Sequence, residues 1–263
     1  MPPGRAVVYL ATLGVLLMAV RALLVGPPPL FWSATISGAY AALLLGAVLV
    51  LRLRVFVDAV VRGPPGARGV ALTFDDGPHP TWTPRVLAIL ARHRVHATFF
   101  LVGRKAEEHP EVVRAILEAG HSVGLHSYAH DRLFALRGQR RVREDLERGI
   151  RALEEVTGTR PVLFRPPIGH TNPAIARVAD ALDLTVVGWT ISGRDGLASA
   201  RVNDVIARVR RDLADRAIVL LHDAPEKGDR EPAAVKALPA ILDAIAVEQL
   251  DVVPLAPWVD AVG

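Results

Sequence analysis

An apolar run from Leu30 to Leu51 restricts the folding of this chain more than any other feature, because it contains no charged residue. About twenty such residues, coiled as a helix, cross the hydrocarbon core of a bilayer. Hydrophobic residues make up 51% of the 263 residues, which is high for a soluble domain of this length. The run therefore predicts a membrane-spanning helix near the start of the chain.

A second apolar run precedes the first and extends from Ala6 to Val25, interrupted only by Arg21. The run is long enough to span a bilayer if the Arg21 side chain extends to the interface. Gly26 and the three prolines after it then break the helix. We predict a transmembrane hairpin with helices at about 6–25 and 30–51, making the protein a two-span membrane protein. The alternative is a cleaved signal peptide followed by a single anchor.

The charges around the two runs bear on which side of the membrane the rest of the chain occupies. Arg5 precedes the first run, Arg52, Arg54 and Arg62 follow the second, and the loop between the runs is uncharged. Cytoplasmic flanks are enriched in Lys and Arg, so this distribution places both chain ends in the cytoplasm.

After the hairpin, short β-rich runs alternate with amphipathic helical stretches. The β-rich runs are Val70–Phe74, His96–Val102, Ser122–Leu125, Val162–Arg165, Leu184–Ile191, Ala217–Leu221 and Leu250–Leu255. The helical stretches include Pro84–Arg92, Glu111–Ala119, Gln139–Val156 and Val202–Leu213. This alternation is typical of an α/β fold with a parallel sheet, and about seven strands suggest a distorted (β/α) barrel. We expect residues 1–56 to form the anchor, 57–68 a linker and 69–263 the α/β domain.

Polar clusters follow several of the predicted strands at their carboxyl ends, where parallel α/β folds place their active sites. Asp75 and Asp76 end the first strand, and such neighbouring carboxylates repel unless a cation compensates them. His126 and His130 follow the third strand, close enough in sequence to face one side. Two imidazoles and a carboxylate suit Zn²⁺, Fe²⁺, Co²⁺ or Mn²⁺. The chain has no cysteine, which excludes thiolate zinc sites and disulfides.

Four short motifs in a fixed order give the chain a specific resemblance. They are Thr73–Pro78 (TFDDGP), His126–His130 (H-S-x-x-H), Arg165–Gly169 (R-x-P-x-G) and Val219–His222, which ends in L-x-H. From about Val70 to Leu255 the sequence resembles the polysaccharide deacetylase family, also described as the NodB homology domain or carbohydrate esterase family 4. The resemblance implies a distorted (β/α) barrel that removes acetyl groups from amino sugars.

The resemblance also implies a role for each matched residue. The metal ligands would be Asp76, His126 and His130. The catalytic residues would be Asp75 as general base, held by Arg165, and His222 as general acid, held by Asp195. The substrate and oxyanion contacts would be Pro167, Leu220 and the backbone N–H of Ile168. One divalent metal ion is expected, with zinc the first choice and Co, Mn, Ni or Fe as alternatives.

The expected function is removal of N-acetyl or O-acetyl groups from an amino-sugar-containing glycan of the cell envelope. An alternative is deacylation of a lipid-linked sugar at the membrane, and another is an inactive carbohydrate-binding membrane protein. In the family's fourth motif an Asp is usually followed by Trp, but here Gly196 follows Asp195, which makes a long polymer a less secure substrate. The resemblance suggests an extracytoplasmic domain, in conflict with the charge distribution. We expect a monomer, with no compact basic patch for nucleic acid.

Overall fold

Two apolar helices precede a curled parallel sheet wrapped by further helices, as described for residues 1–260 by a computed structural model. The helices are α1 Pro3–Val25, α2 Leu30–Leu49, α3 Trp82–His93, α4 Gly103–Glu108, α5 Pro110–Glu118, α6 Gln139–Thr157, α7 Pro173–Ala181, α8 Val202–Asp212, α9 Ala233–Val247 and α10 Ala256–Asp260. The strands are β1 Val70–Asp75, β2 Thr98–Leu101, β3 Ser122–Leu125, β4 Leu163–Phe164, β5 Thr185–Val186, β6 Ile191–Ser192 and β7 Ala217–His222.

The helices α1 and α2 form the predicted hairpin, and both are long and apolar enough to cross a membrane. Thr12 Oγ1 and Tyr40 Oη lie 2.8 Å apart and join the two helices by a hydrogen bond. Arg21 Nη1 donates to the Gly26 carbonyl at 3.2 Å, so its charge lies at the turn between the helices. A guanidinium held at the turn is compatible with an apolar span on either side.

The sheet contains seven strands in the order β5-β4-β3-β2-β1-β7-β6, and every pairing is parallel. The interior strand β1 is buried along its whole length, as expected for a sheet covered on both faces. Phe74 of β1 stacks on Phe99 of β2 with ring centroids 5.1 Å apart, and both side chains are fully buried. Burial of each such side chain contributes about 1.5–3 kcal/mol to folding.

The two edge strands, β5 and β6, are consecutive in the chain and are joined by residues 187–190. This short segment therefore brings the edges of the sheet together and curls it into the predicted barrel-like form. The buried Arg165 side chain stabilises this segment, because its Nε donates to the Val187 carbonyl and its Nη2 to the Gly188 carbonyl.

Two of the predicted strands differ from the structure. The run 184–191 forms two short strands rather than one, because it pairs first with β4 and then with β7. The predicted strand 250–255 was wrong, since only an isolated bridge joins Val252 to Val70. Pro254 follows this bridge and has no N–H with which to extend a ladder. The helices α4, α7, α9 and α10 were not among the helical stretches named from the sequence.

The segment after the hairpin is packed against the α/β domain. The backbone N–H of Thr171 donates to the Val48 carbonyl of α2 at 3.0 Å. Leu51, which is 4% exposed, belongs to the main hydrophobic core. Val60 lies within the region expected to be a linker, 57–68, and forms a parallel bridge with Val187. The hairpin and the domain are therefore in direct contact through backbone and side chains.

Candidate active site

A cavity of about 420 Å³ opens at the carboxyl ends of the strands. Its lining residues come from six of the seven strands or from the segments that follow them: Asp75, Asp76, His126, His130, Arg132, Ile168, Gly169, Trp189, Ser192, Arg194, Gly196, Leu197, Leu220, His222 and Glu226. Nine of the ten site residues expected from the sequence line this cavity or contact a lining residue through a side chain, as described below. A concave site with convergent polar groups is the normal form of an active site.

Asp76, His126 and His130 form the one group of potential metal ligands among the described residues, with ligand atoms within 4.8 Å of one another. Asp76 Oδ1 lies 3.5 Å from His126 Nε2 and 3.1 Å from His130 Nε2. Asp76 Oδ1 is buried and accepts no hydrogen bond. A buried carboxylate oxygen without a donor is costly, and a cation between these three atoms would compensate it. The donor set suits zinc and related divalent ions.

Two of these three potential ligands have unusual backbone conformations. Asp76 has φ of 73° and His130 has φ of 51°, values that non-glycine residues rarely adopt. His126 Nδ1 lies 2.7 Å from the Arg165 carbonyl and donates to it, which leaves Nε2 as the free ring nitrogen. The backbone N–H of His130 donates to Ser127 Oγ at 2.9 Å. Strained residues clustered in a cavity are typical of functional sites.

Burial and charge favour the protonation states that metal binding requires. Burial lowers the pKa of His126 to about 4, so its imidazole is neutral near pH 7. Burial raises the pKa of Asp76, but the nearby His222, His130 and His126 outweigh it and lower the pKa below its ordinary value. A neutral imidazole and an ionised carboxylate are the ligand forms of these side chains.

Asp75 is paired with Arg165 beside the metal ligands. Arg165 Nη1 lies 2.6 Å from Asp75 Oδ1, and it also donates to Thr73 Oγ1 at 2.9 Å. Arg165 is fully buried and Asp75 is 3% exposed. The second oxygen of Asp75, Oδ2, lies 3.8 Å from His126 Nε2. The guanidinium thus fixes one carboxylate oxygen and leaves the other directed at the three ligands.

His222 and Asp195 form a second pair on the other side of the cavity. Asp195 accepts hydrogen bonds from His222 through both carboxylate oxygens, from the backbone N–H at 2.7 Å and from Nδ1 at 3.1 Å. Burial lowers the pKa of His222, but the carboxylates of Asp195, Asp76 and Asp75 outweigh it and raise the pKa to about 10. The imidazole is therefore held protonated, with Nε2 available to a substrate.

The three expected substrate contacts differ in their positions. Ile168 is 39% exposed and lines the cavity, and its φ of 50° is again left-handed. Leu220 is 5% exposed and also lines the cavity. Pro167 is buried beside Ile168 and is absent from the described lining of the cavity. The arrangement offers a small apolar surface at Leu220 next to the polar groups.

Gly196, the departure from the family's fourth motif, lies against His222. A Cβ added at this position would meet His222 Cε1 at 3.0 Å and Nε2 at 3.1 Å. Contacts this short require the imidazole to move, so the absence of a side chain at residue 196 keeps His222 in place. Trp189 lines the cavity and packs against both large core clusters, which agrees with a largely structural role.

Sequence reasoning missed two charged residues next to the site. Lys105 Nζ donates to the backbone carbonyls of Asp76 at 2.7 Å and of Pro225 at 2.8 Å. Glu226 lies at the cavity mouth, with Oε2 3.5 Å from Arg132 Nε. Lys105 follows β2 in the chain, so its position after a strand end was an available signal. No motif contained Glu226.

The chain also resembles known proteins. The family model described as polysaccharide deacetylase matches residues 62–187. The peptidoglycan-N-acetylglucosamine deacetylase of Bacillus cereus is 34% identical over 182 residues, which cover 68% of this chain and 82% of that protein. The chitooligosaccharide deacetylase of Sinorhizobium fredii is 34% identical over 169 residues, covering 64% of this chain and 78% of that one.

A solved structure shows the same likeness in three dimensions. The family 4 carbohydrate esterase of Streptomyces lividans, in complex with acetate, superposes with a TM-score of 0.65 at 32% sequence identity. The match covers 73% of this chain and 95% of the esterase. The part of the chain left outside is comparable in size to the hairpin and the segment that follows it.

Proposed function

This chain belongs to the polysaccharide deacetylase family, and we propose that it is a metal-dependent hydrolase that removes an acetyl group from the nitrogen of an amino sugar. The observation that carries the proposal is the presence, around one cavity, of a metal-ligand cluster, a buried Arg165–Asp75 pair and a His222–Asp195 pair. An inactive carbohydrate-binding protein is the weaker alternative, because every group that the reaction requires is present.

Asp76, His126 and His130 would hold the metal, which we expect to be zinc, with Co, Mn, Ni or Fe as alternatives. When bound, the ion would supply Lewis-acid chemistry by polarising the acetyl carbonyl and lowering the pKa of a water molecule from about 15.7 toward 7. Three protein ligands leave positions open for water and substrate.

Asp75 would act as the general base. Its Oδ1 is held by Arg165 at 2.6 Å, so Oδ2 is the oxygen that faces the ligand cluster and can take a proton from the attacking water. The backbone N–H of Ile168 would donate to the oxygen that becomes negative as the carbonyl is attacked. Leu220 would contact the acetyl methyl group, because it is the apolar side chain of the lining beside His222.

His222 would act as the general acid. An amine is a poor leaving group and must be protonated as the C–N bond breaks, and general acid–base catalysis of this kind contributes about 10²–10⁴-fold. Asp195 orients the ring through Nδ1 and stabilises its charge, which leaves Nε2 to deliver the proton. This pair should matter more for amides than for activated esters, because an activated ester releases its leaving group without such help.

The test is acetate release by the full-length, detergent-solubilised protein, freed of metal and then supplied with single divalent ions. The panel should contain N-acetylated chitooligosaccharides, peptidoglycan fragments and O-acetylated sugars. We expect acetate release from N-acetylated sugars that depends on added metal. Unchanged activity after complete metal removal would contradict the mechanism, and absence of acetate from every substrate would contradict the function.

The membrane location is also part of the proposal, with α1 and α2 as spans that anchor the domain. The side of the membrane can be tested by fusing a phosphatase reporter after Gly263. An active phosphatase supports the extracytoplasmic location suggested by the family, and an inactive but expressed fusion supports the cytoplasmic one suggested by the charge distribution.

A further inference from the structure

The end of the hairpin lies next to the loop that lines the active-site cavity. The Val48 carbonyl of α2 accepts a hydrogen bond from the Thr171 backbone N–H at 3.0 Å. Thr171 follows Gly169 of the cavity lining by two residues, a distance that the chain spans in about 7 Å at most. The last turn of α2 is therefore close to the mouth of the cavity.

The connection between hairpin and domain is a docked segment. Leu51, Val55 and Val60 are 4%, 6% and 2% exposed. Arg5 at the start of α1 donates to the Val55 carbonyl at 2.8 Å and reaches Asp58 at 3.1 Å. Because this segment is fixed on both sides, the domain cannot extend away from the membrane as it would on a flexible tether.

Exposed apolar side chains concentrate around the same mouth. Six large hydrophobic residues after residue 60 are exposed in the described part of the chain, and four of them follow the carboxyl ends of strands. We call these four the apolar rim: Leu133, Leu136, Ile168 and Leu197. Leu136 is 76% exposed, and Ile168 and Leu197 line the cavity itself. A group of exposed apolar residues in one region marks an interaction surface.

The rim is continuous with the docked end of the hairpin. Asn172 Nδ2 donates to the Ala135 carbonyl at 2.6 Å, between Leu133 and Leu136. Asn172 is the neighbour of Thr171, which binds α2. The loop that carries Leu133 and Leu136, the loop from Ile168 to Asn172 and the end of the candidate span therefore form one connected surface.

Basic side chains accompany the rim. Arg132 and Arg194 line the cavity and are exposed to solvent. Exposed leucines with neighbouring arginines are the usual composition of a surface that rests in the interface of an anionic bilayer. A bilayer is the occupant that fits best, because the hairpin that would be held in it ends at this same surface.

From these contacts we propose that the mouth of the cavity rests on the bilayer that holds α1 and α2, and that the substrate is an acetylated amino sugar carried by a lipid of that bilayer. The inference rests on the proposed deacetylation and names its substrate class. A sugar confined to the same membrane meets the site at high effective concentration, whereas a polymer further from the membrane would have to approach the bilayer surface to enter the cavity.

The first experiment locates the rim without using activity. The chain has no cysteine, so Leu136→Cys introduces a single thiol for an environment-sensitive fluorophore. Val247→Cys is the matched control, because Val247 is 72% exposed at the end of α9. In nanodiscs of phosphatidylglycerol and phosphatidylethanolamine, a nitroxide on the lipid headgroup should quench the label at residue 136 and spare the one at 247. Equal quenching at both positions would overturn the membrane contact.

The second experiment tests the substrate class with the full-length protein in the same nanodiscs. Acetate release is compared for a prenyl-linked N-acetylglucosamine in the same disc, the same lipid in separate discs, and a soluble N-acetylchitooligosaccharide. At equal total concentration we expect the same-disc rate to exceed both others by at least about tenfold. Equal rates would refute the inference.

A variant pair links the two results. Leu133→Asn with Leu136→Asn should lower the same-disc rate and leave hydrolysis of the soluble oligosaccharide unchanged. Val162→Asn with Val247→Asn, which replaces exposed valines away from the rim, should change neither. Absence of acetate from all three substrates would contradict the proposed deacetylation, while the fluorescence result would still decide the membrane contact.

Discussion

Asp75 and His222 occupy the same register position on the neighbouring parallel strands β1 and β7. Each is held by a different residue, Asp75 by Arg165 from β4's carboxyl end and His222 by Asp195 from the loop after β6. The proposed base and the proposed acid thus lie side by side on one sheet and are oriented independently. Substitutions in the two pairs should therefore have separable effects.

Asp75→Asn should lower turnover by about 10²–10⁴-fold, because it removes the base and leaves the metal ligands in place. Metal content and acetate release, measured on the same preparation, check this expectation. Asp204→Asn, at an exposed position of α8, is the matched control and should change neither quantity. Turnover within a factor of ten of the unmodified protein would show that the base lies elsewhere.

Asp195→Asn should move the alkaline limb of the pH–rate profile to lower pH. The Asp195 carboxylate contributes to the raised pKa of His222, which lies at about 10. A general acid must be protonated, so activity is lost as the pH rises through the pKa of His222, and that pKa falls when the carboxylate is removed. The measurement is kcat/KM against pH for an N-acetylated substrate. An alkaline limb that stays in place would argue against His222 as the acid.

His126→Ala should abolish activity and bound metal together. His126 supplies one of three clustered ligand atoms, and its Nδ1 is already committed to the Arg165 carbonyl. Metal stoichiometry and acetate release are the two readouts, and a thermal unfolding curve reports whether the variant is folded. His93→Ala, at an exposed position of α3, should retain both. A folded, active variant without bound metal would contradict the assignment of His126 as a ligand of a catalytic metal.

Lys105→Met should weaken metal binding by about 10–100-fold, as substitutions behind metal ligands usually do. Lys105 is a positioning residue, because its ammonium joins the backbone carbonyls of Asp76 and Pro225 and touches no ligand atom of the cluster. The dissociation constant of the metal, measured by titration of the metal-free protein, is the readout. Lys105→Arg should restore much of the affinity, and unchanged affinity in Lys105→Met would exclude the positioning role.

Gly196→Ala should reduce kcat for amide substrates by about tenfold or less, because the added methyl group crowds His222 by a few tenths of an ångström. Hydrolysis of activated aryl acetates should fall less, since their leaving groups need no proton. The ratio of the two rates is the measurement. An equal loss with both substrates would indicate a general disturbance of the cavity.

Much of the site could be predicted because its parts are local in sequence. Asp75 and Asp76 are adjacent, His126 and His130 are four residues apart, and each pair follows an apolar run. In a parallel sheet such strand ends converge, so strand order alone predicted that these residues meet.

The contacts that could not be predicted involve backbone acceptors far away in the chain. Lys105 binds two carbonyls, and the hydrogen bond between Thr171 and Val48 involves main-chain atoms only. A backbone carbonyl leaves no mark on residue type, so no sequence pattern predicts these partners. The prediction of a strand at 250–255 was wrong because an apolar run that packs beside a sheet need not form a hydrogen-bonded ladder with it.

The docking of the hairpin on the domain has a practical consequence for how the enzyme is prepared. A shortened version that begins after residue 56 would lack Leu51, which packs in the main core, and would leave the Thr171 N–H without its Val48 acceptor. Such a fragment exposes apolar surface that the intact chain covers, which favours aggregation. The loop that contains Thr171 would also lose its backbone contact with α2. Kinetic constants from such a truncated form would therefore describe a different catalyst from the intact chain.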